Sequence, residues 1–491
     1  MNRHMQTSRT ADQHIKIKPL HLIFWIIVLQ LIIAFFTDGL IFTHEEAMWH
    51  YIGRNWLRFG LTPYAGGVDN KSPLIYFIFG ISDRLFGVND WFPRLLGTLV
   101  EAVGIFFLFK IAERRMNYRA GIFAVSIYGL SLLWHSTGGK YVSFTETYAV
   151  SFILASLYTS QDAQNHRHLF FSGLLSGIAF AFRFSAVFGI IPLAILNFRR
   201  HRTGGYWFLA GLTFGIGLFM LFMVFSGIRL HDFLFYGFSD NFGSGSPTGL
   251  SSAWKAQQFA NGFFYSELIL FYPAVAVYFL MNRKFDFLKG WLICECAGII
   301  ILGIFARNHF KNLLPCLSLI SACVVERLTE KYPVSPNQII LGIWIVFFPK
   351  TFEPLFAVKK LFNLKKNQSA SGLNSGEEYS KKLLGNWIRN NTQTGDKVFV
   401  GGYGAQIQVY AERLSPSVYF NVTQTAPAKK KLFSDLGNNK PFMMVIPQSA
   451  DYIKWVDVDI RIFLDSLAGK EYRLDTALYH YNIFRLRKPV H

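Results

Sequence analysis

Long apolar blocks separated by short polar loops fill most of the first 358 residues. A block of about twenty apolar residues is long enough to cross the hydrocarbon core of a bilayer. From the block lengths and the basic residues between them, we predict about eleven transmembrane helices. Their predicted ranges are roughly 19–37, 93–111, 120–136, 146–160, 169–182, 185–198, 206–226, 259–281, 288–306, 310–326 and 338–357.

One apolar segment, residues 73–87 with the sequence PLIYFIFGISDRLFG, is too short for this pattern. At 1.5 Å per residue it reaches only about 22 Å, whereas the hydrocarbon core is about 30 Å thick. It also contains Asp83 and Arg84. We therefore predict a helix that lies in the membrane interface, with Ser72 before it and Pro73 in its first turn.

The distribution of basic residues predicts the orientation. Loops rich in Lys and Arg stay in the cytoplasm. The N-terminal tail and the loop after residue 111 are both basic, so we place the N-terminus and that loop in the cytoplasm, and residues 43–72 outside. The lysines at 359, 360, 365 and 366 favour the opposite orientation for the end of the chain. Since the last helix usually has less influence on topology, we expect the C-terminal region to be extracytoplasmic.

The pattern changes after the last apolar block. Residues 359–376 read as a polar, flexible linker between a transmembrane domain, 1–358, and a small soluble domain, 377–491. In the soluble domain, DKVFVGG and PFMMVIP are short apolar runs that predict buried strands, and YHYNIFRLR alternates like an edge strand. Helical patterns separate these runs, so we predict an α/β fold. Gly402 and Gly404 are better explained by a strand-to-helix turn than by a dinucleotide loop, because the third glycine position is Ile407.

Composition agrees with a multi-pass membrane protein. Hydrophobic residues make up 52% of the 491 residues and charged residues only 16%, below the quarter or so that is usual for soluble domains. The net charge of +19 could indicate nucleic-acid binding, but its Lys and Arg residues lie largely in short loops, so we expect no nucleic-acid partner. All four cysteines fall in apolar segments, and we expect no disulfide framework. The first apolar run is too long for a cleavable signal peptide and has no small-residue cleavage site.

The tetrapeptide Thr43-His44-Glu45-Glu46 follows directly after the first apolar block. Thr43 and Glu46 have the spacing of a capping box, which gives Glu46 a structural role at the start of an amphipathic helix over 46–59. We expect that helix to lie on the outer leaflet. Glu45 has no such role and is the better candidate for chemistry. The alternative is that both acids only favour the positive end of the helix.

Other charged residues fall on the same predicted side of the membrane. Lys71 precedes the interfacial helix, Glu146 stands at the entry of the fourth span, and Arg307 and His309 lie at the turn between spans nine and ten. Each alone has a simpler explanation; Lys71, for instance, could extend to the interface or bind a lipid phosphate. Together they predict an outward cavity with a carboxylate and a phosphate-binding set.

The order of these motifs resembles the GT-C class of integral-membrane glycosyltransferases, and most closely the branch of the protein O-mannosyltransferases and the lipid A aminoarabinose transferase. That branch has an acidic pair after the first helix, a short R-x-W/M-L-x-x-G helix, a K-x-P-L motif, L-F-G followed by an arginine, a second acidic loop and an R-x-H-(F/Y)…L-P element. The matching positions here are Glu45-Glu46, 54–60, 71–74, 85–87, Arg94, Glu146, and Arg307, His309, Phe310, Leu314 and Pro315. The first acid is usually Asp, and here it is Glu45.

The resemblance implies an enzyme that moves a hexose or pentose from a polyprenyl-phosphate-linked donor to a lipid, glycan or protein acceptor. It would act in the inner (plasma) membrane, on the extracytoplasmic side. We expect Glu45, with Glu146, to be catalytic. The expected substrate-binding residues are Glu46, Arg54, Tyr64, Lys71, Arg307 and His309. A divalent metal ion held by Glu45 and Glu146 is an open alternative to catalysis by a base alone.

Two other classes remain open. A transporter or flippase of a lipid-linked or polar solute would suit the many helices, but we see no internal repeat and no matched pair of broken helices. A non-catalytic scaffold would use the outer α/β domain for binding and would tolerate changes at Glu45 and Lys71. Transfer of labelled sugar by the purified protein separates the three.

Overall fold

The computed structural model describes residues 18–37, 42–161, 165–200, 202–239, 252–303, 305–332, 334–351, 377–421, 425–448 and 458–487. The predicted linker, 359–376, and the lysines at 359–366 lie outside these ranges, as does most of the N-terminal tail. Contacts divide the chain into two compact units. Unit 1 comprises 1–37, 94–221 and 251–359, and unit 2 comprises 38–93, 222–250 and 360–491. The predicted domain boundaries at 358 and 377 stay a prediction.

Most helices of unit 1 correspond to the apolar blocks of the sequence. In chain order, those of the N-terminal half are α1 (Pro19–Thr37), α4 (Trp91–Arg115, which begins in unit 2), α5 (Tyr118–Ser131), α6 (Thr145–Thr159), α7 (His166–Phe182), α8 (Val187–Arg200) and α9 (Arg202–Phe225, which ends in unit 2). The later ones are α11 (Ser252–Phe263), α12 (Tyr272–Met281), α13 (Phe287–Leu302), α14 (Leu314–Lys331) and α15 (Pro336–Phe347). A 3₁₀ turn, Arg307–Leu313, leads into α14.

Three described helices are long and apolar enough to cross a membrane: α4, α9 and the continuous segment Arg307–Lys331. A fourth span results if α11 and the segment Glu267–Met281, which are bent by 43°, are taken together. The predicted span over 259–281 is thus interrupted between Phe263 and Glu267, and the predicted total of eleven spans is not confirmed. Arg183 separates α7 from α8, as the sequence indicated.

Unit 2 begins with two short helices that fit the predictions. Helix α2 (His44–Phe59) starts with the predicted capping box, and α3 (Pro73–Phe86) starts at Ser72 with proline in its first turn. The two helices approach closely at Gly53 and Gly80, since a Cβ atom on Gly53 would lie 2.2 Å from the carbonyl oxygen of Tyr76. Only glycine permits this crossing. Helix α10 (Leu230–Leu234) also belongs to this unit.

The C-terminal region forms the predicted α/β fold. Its elements are α16 (Glu377–Asn390), β1 (Val398–Val400), α17 (Ala405–Ala411), α18 (Ala426–Asn438), β2 (Met443–Pro447), α19 (Val458–Glu471), β3 (Tyr472–Leu478) and β4 (Tyr481–Leu486). The strand order is β1-β2-β4-β3, with β1 and β2 parallel and the other pairs antiparallel. The predicted edge strand, β4, is thus central. The edge strands are β1 and β3, and β3 was not predicted because its sequence, YRLDTAL, has no regular alternation of apolar and polar residues and four of its seven residues are exposed.

Alternate side chains of the strands pack on opposite faces of this sheet. Val398, Val400, Met443 and Val445 pack with α16 and α17, whereas Phe399, Met444 and Ile446 pack with α18 and α19. The turn between β1 and α17 contains Gly402 at φ 74°, the strand-to-helix turn that the sequence favoured.

Candidate functional site

Helix α2 is buried on nearly every side. His50, Arg54 and Asn55, which the helical pattern places off the apolar face, are fully buried within unit 2. Arg54 Nη1 donates a 2.7 Å hydrogen bond to the carbonyl oxygen of Val409 at the end of α17. These polar side chains therefore do not form a solvent-exposed face, and the position of the helix on the outer leaflet stays a prediction. The polar face is covered by α3 and by the C-terminal region.

Glu46 takes the structural position that the capping box predicts. Its Oε2 accepts a 3.0 Å hydrogen bond from the Thr43 amide, and Thr43 Oγ1 accepts a 3.2 Å bond from the Glu46 amide. The side chain of Glu46 is buried. These contacts give Glu46 a defined role at the N-terminus of α2, and its assignment to substrate binding stays a prediction.

Glu45 lies beside the segment 69–71 in unit 2. Burial raises the pKa of the Glu45 carboxyl above its ordinary value, the positive charge of Lys71 opposes this rise, and the negative charges of Asp69 and Glu46 add to it. A carboxylate with a raised pKa is a stronger base than an ordinary one. The two residues that the sequence analysis selected for acid–base chemistry and phosphate binding, Glu45 and Lys71, therefore interact electrostatically.

Two tyrosines fix the backbone at Lys71. Tyr76 Oη accepts from the Lys71 amide at 3.1 Å and lies within donating distance of the carbonyl oxygens of Lys71 (3.1 Å) and Asp69 (3.0 Å). Tyr64 Oη donates to the same Lys71 carbonyl at 3.2 Å. Tyr64 is buried, and its pKa is raised by burial and by Asp69. Tyr64 was predicted to bind substrate, and its visible role is to hold this loop. The Lys71 Nζ donates to Asn70 Oδ1 at 2.7 Å.

Asp69 is a residue of this cluster that the sequence analysis did not select. Its Oδ2 accepts a 2.9 Å hydrogen bond from Trp49 Nε1, and Trp49 lies one helical turn after Glu45. The sequence signal that could have indicated it is its position two residues before Lys71, in a loop with Gly66 and Gly67.

His44 and Tyr403 form an aromatic pair near Glu45. The centroids of the two rings are 4.9 Å apart. The pKa of Tyr403 is raised mainly by burial, and the negative charge of Glu45 adds to this rise. Asn421 Nδ2 lies 3.0 Å from His44 Nε2, an arrangement that requires this nitrogen to accept. The pKa of His44 is lowered to about 4 by burial and by the positive charge of Lys381. The ring is thus neutral at pH 7.

The remaining predicted residues, Glu146, Arg307 and His309, belong to unit 1. Glu146 is fully buried and forms a 2.5 Å ion pair with Arg183 Nη1. Its Oε1 also accepts from Asn308 Nδ2, and its Oε2 accepts from Thr145 Oγ1 at 3.0 Å. Arg183 was the second residue missed, although a single arginine inside an apolar stretch is a signal for function or pairing.

Arg307 and its neighbours pack directly on the loop between α5 and α6. Arg307 is hydrogen-bonded to His135, whose pKa is lowered to about 4 by burial and by the charges of Lys140 and Arg307. Gly138 has φ 63°, and a Cβ on it would lie 2.5 Å from Asn308 Cα. Arg307 itself is exposed, and His309 is buried.

Lys311 holds the same loop from within. Its Nζ forms a 2.6 Å ion pair with Glu101 Oε1 and donates to the carbonyl oxygens of Gly139 and Tyr141, each at 3.1 Å, and to Thr147 Oγ1 at 2.7 Å. Lys311 is fully buried, so its role is to position the loop. Arg307 carries the exposed charge of this cluster.

The surroundings of Glu146 do not suit a metal ligand. Both of its oxygens already have partners, and Arg183 compensates its charge. Within the described ranges, no group of three or more His, Cys, Asp or Glu side chains is placed to hold a metal ion. Metal binding by Glu45 and Glu146 stays a prediction, and the proposed transfer reaction uses no metal ion.

The comparisons with known proteins agree with this architecture. The family model for dolichyl-phosphate-mannose-protein mannosyltransferase matches residues 70–228, less than half of the chain, and this range includes Lys71, Glu146 and Arg183. No curated protein sequence matches the chain.

Solved structures match nearly the whole chain at low identity. The crystal structure of ArnT from Cupriavidus metallidurans bound to undecaprenyl phosphate has a TM-score of 0.60 and 14% identity, covering 95% of this chain and 97% of ArnT. An oligosaccharyltransferase of Archaeoglobus fulgidus, in a complex with Zn and sulfate, has a TM-score of 0.55 and 13% identity, covering 93% and 72%. AglB of the same organism, with an inhibitory peptide and a dolichol-phosphate, has a TM-score of 0.51 and 10% identity, covering 95% and 75%. The resemblance that the motifs indicated is thus confirmed: this chain has the fold of the GT-C class of integral-membrane glycosyltransferases.

Proposed function

We propose that this protein is a membrane glycosyltransferase that moves a sugar from a polyprenyl-phosphate carrier to an acceptor on the extracytoplasmic side of the cell membrane. The observation that carries the proposal is the pairing of Glu45 with Lys71 in one cluster of unit 2, in a chain with this fold. The cluster combines a carboxylate of raised pKa with a cation whose backbone is held by two tyrosines.

Each group has a defined part in the proposed reaction. The acceptor hydroxyl attacks the anomeric carbon of the donor sugar, and Glu45 takes the proton of that hydroxyl. A new bond forms between the acceptor oxygen and the anomeric carbon, while the bond between that carbon and the phosphate oxygen breaks. The polyprenyl phosphate leaves with the electron pair, and Lys71 stabilises its negative charge. The assignment of Arg307 and His309, which belong to unit 1, to phosphate binding stays a prediction from the sequence.

Neighbouring residues in each unit support these groups. Tyr64 and Tyr76 hold the Lys71 backbone, so that the ammonium group is positioned before the donor arrives. Asp69 raises the pKa of Glu45 and is itself fixed by Trp49. In unit 1, Glu146 and Lys311 organise the loop that contacts Arg307 and Asn308.

The test uses full-length protein purified in detergent and a panel of polyprenyl-phosphate donors that carry different labelled hexoses and pentoses. Label in a product other than the donor supports the proposal, and its sugar names the donor. Matched controls come from the surface pair Lys440–Glu471, whose charged atoms are 3.0 Å apart. Lys71→Ala should abolish transfer and Lys440→Ala should not. Movement of intact donor across a vesicle membrane with no transfer to any acceptor would support a flippase instead.

A further inference from the structure

A cavity of about 340 Å³ lies in unit 1, at the ends of α4 and α14 and the beginning of α13. Its polar lining includes Arg115, Asn117, Tyr278, Asp286, Glu326 and Glu330. All these elements belong to one unit. The helical segment Arg307–Lys331 has Arg307 at one end, and its residues Glu326, Arg327 and Glu330, near the other end, line the cavity. By the distribution of basic residues, this is the side that we predict to be cytoplasmic, so the cavity has no place in the proposed transfer reaction.

Arg115 lines this cavity and has two unsatisfied donors. Its Nε and Nη2 are buried and have no hydrogen-bond partner among the described residues, while its Cζ stands 4.9 Å from the ring centroid of Phe287. A buried donor without a partner destabilises the folded protein. An anion with two or more oxygens would satisfy both nitrogens, because guanidinium groups bind phosphate in this forked geometry.

Glu326 lines the same cavity and has one unsatisfied acceptor. Its Oε1 accepts from Asn117 Nδ2 and from Arg119 Nη2, each at 2.7 Å. Its Oε2 is buried and has no partner in the described part of the chain, and the whole residue is only 4% exposed. Asp286 and the exposed Glu330 bring the carboxylates of the lining to three, and Arg327 adds an exposed cation. An ammonium group that carries N–H donors would satisfy this side of the cavity.

A ligand that satisfies both sides carries a phosphate and a primary ammonium group a short distance apart. The cavity lies where membrane helices end, at the level at which basic pockets between helices bind lipid headgroups. We propose that it binds a phosphoethanolamine group, with the phosphate on Arg115 and the ammonium on Glu326. A quaternary ammonium lacks the N–H that Glu326 Oε2 needs, so a choline headgroup should bind less well, and a glycerol headgroup offers no cation.

The experiment measures lipid binding to the full-length protein in detergent by native mass spectrometry. The probes are phosphatidylethanolamine, phosphatidylcholine and phosphatidylglycerol with the same acyl chains. We expect phosphatidylethanolamine to bind at least tenfold more tightly than the other two. Arg115→Ala should remove this preference, and the matched control Arg114→Ala, which changes the neighbouring exposed arginine, should keep it. Equal binding of the three lipids, or an unchanged preference in Arg115→Ala, would overturn the proposal.

Two further measurements keep the test independent of folding. Glu330→Gln changes an exposed side chain and should weaken phosphatidylethanolamine binding several-fold, whereas Glu113→Gln, outside the cavity, should not. An unchanged affinity in Glu330→Gln with a lost affinity in Glu113→Gln would contradict the placement of the ammonium group. Soluble phosphoethanolamine is tested as a competitor: displacement of the lipid at equal concentration supports the same chemistry and identifies a soluble molecule as the ligand.

Discussion

Trp49 Nε1 donates a 2.9 Å hydrogen bond to Asp69 Oδ2, and this bond ties the helix that carries Glu45 to the loop that carries Lys71. The same loop is held by Tyr64 and Tyr76. Trp49 therefore joins the helix of the proposed base to the loop of the proposed phosphate ligand, and two further buried aromatic residues, Tyr64 and Tyr76, hold the backbone of that loop. A site with this construction should be sensitive to small changes in its supporting residues.

Trp49→Phe removes the bond to Asp69 and keeps an aromatic ring in the core. We expect sugar transfer to fall roughly tenfold to hundredfold, since small misplacements of reacting groups have effects of this size. The free energy of unfolding should fall by about 1 kcal/mol, as for one lost hydrogen bond. Steady-state rates and thermal unfolding measure the two effects. Trp56→Phe is the control, and equal losses of activity in both variants would show that the bond has no special role.

Tyr76→Phe should raise the KM for the polyprenyl-phosphate donor more than it lowers kcat. The hydroxyl of Tyr76 accepts from the Lys71 amide, and its loss frees the segment that presents the ammonium group. A several-fold increase in KM corresponds to about 1 kcal/mol of binding energy. Tyr64→Phe should have a smaller effect, because it removes a single bond to the same carbonyl. A Tyr76→Phe enzyme with unchanged KM contradicts the positioning role.

The pH profile of kcat reports on Glu45. Only the deprotonated carboxylate can accept a proton, so the rate should rise with pH through a pKa that burial holds above the ordinary value. Asp69→Asn removes a negative charge that raises this pKa, so the rising limb should move to lower pH. Asp465→Asn, on the exposed surface of α19, should leave the profile in place. A shift to higher pH in Asp69→Asn would show that another group is titrating.

Acid should destabilise the protein through His44. The pKa of this ring is about 4 in the folded state and near 6.5 in the unfolded state, so between these pH values only the unfolded chain binds the proton. Stability is therefore complete above pH 6.5 and is lost as the pH falls towards 4, by at most about 3 kcal/mol. His44→Gln should reduce this loss in thermal unfolding curves. His231→Gln, an exposed histidine, is the control and should behave like wild type.

Variants of Arg54 show whether this residue has a structural or a substrate-binding role. Its buried guanidinium donates to Val409 and lies near Asp83, so Arg54→Met should destabilise the protein by roughly 3 kcal/mol, as for a buried charge pair that loses one partner. Arg54→Lys keeps the charge and should lose less. Thermal unfolding and donor binding are measured together. Weaker donor binding with unchanged stability would instead restore the prediction that Arg54 binds substrate.

Local signals in the sequence predicted local structure well. The capping box at Thr43 and Glu46, the start of α3 at Ser72 and the buried strands β1 and β2 are all determined by residues close in sequence. The strand order was not predictable in this way. Strand β4 is central because β3, whose sequence lacks the alternation that predicts a strand, pairs with it on the outer side.

The candidate site shows the same division. Glu45 and Lys71 were selected because charged side chains at membrane level are costly and often functional, and because several of them fall on the same predicted side of the membrane. Both signals can be read directly from the sequence. The supports of Glu45 and Lys71 were missed, because the bond from Trp49 to Asp69 joins residues twenty positions apart and depends on how a helix and a loop pack. Helix α2 was expected at a surface for a related reason: its helical pattern cannot show that α17 covers Arg54.

The most direct test of the account is sugar transfer by Glu45→Gln, measured together with binding of polyprenyl phosphate. Glutamine keeps the size of the side chain and cannot act as a base. We predict a loss of transfer of at least about 100-fold, as for a missing general base, with unchanged polyprenyl-phosphate binding and thermal stability. The control Glu471→Gln should transfer sugar at the wild-type rate. A Glu45→Gln protein that transfers sugar at that rate would contradict the proposed mechanism.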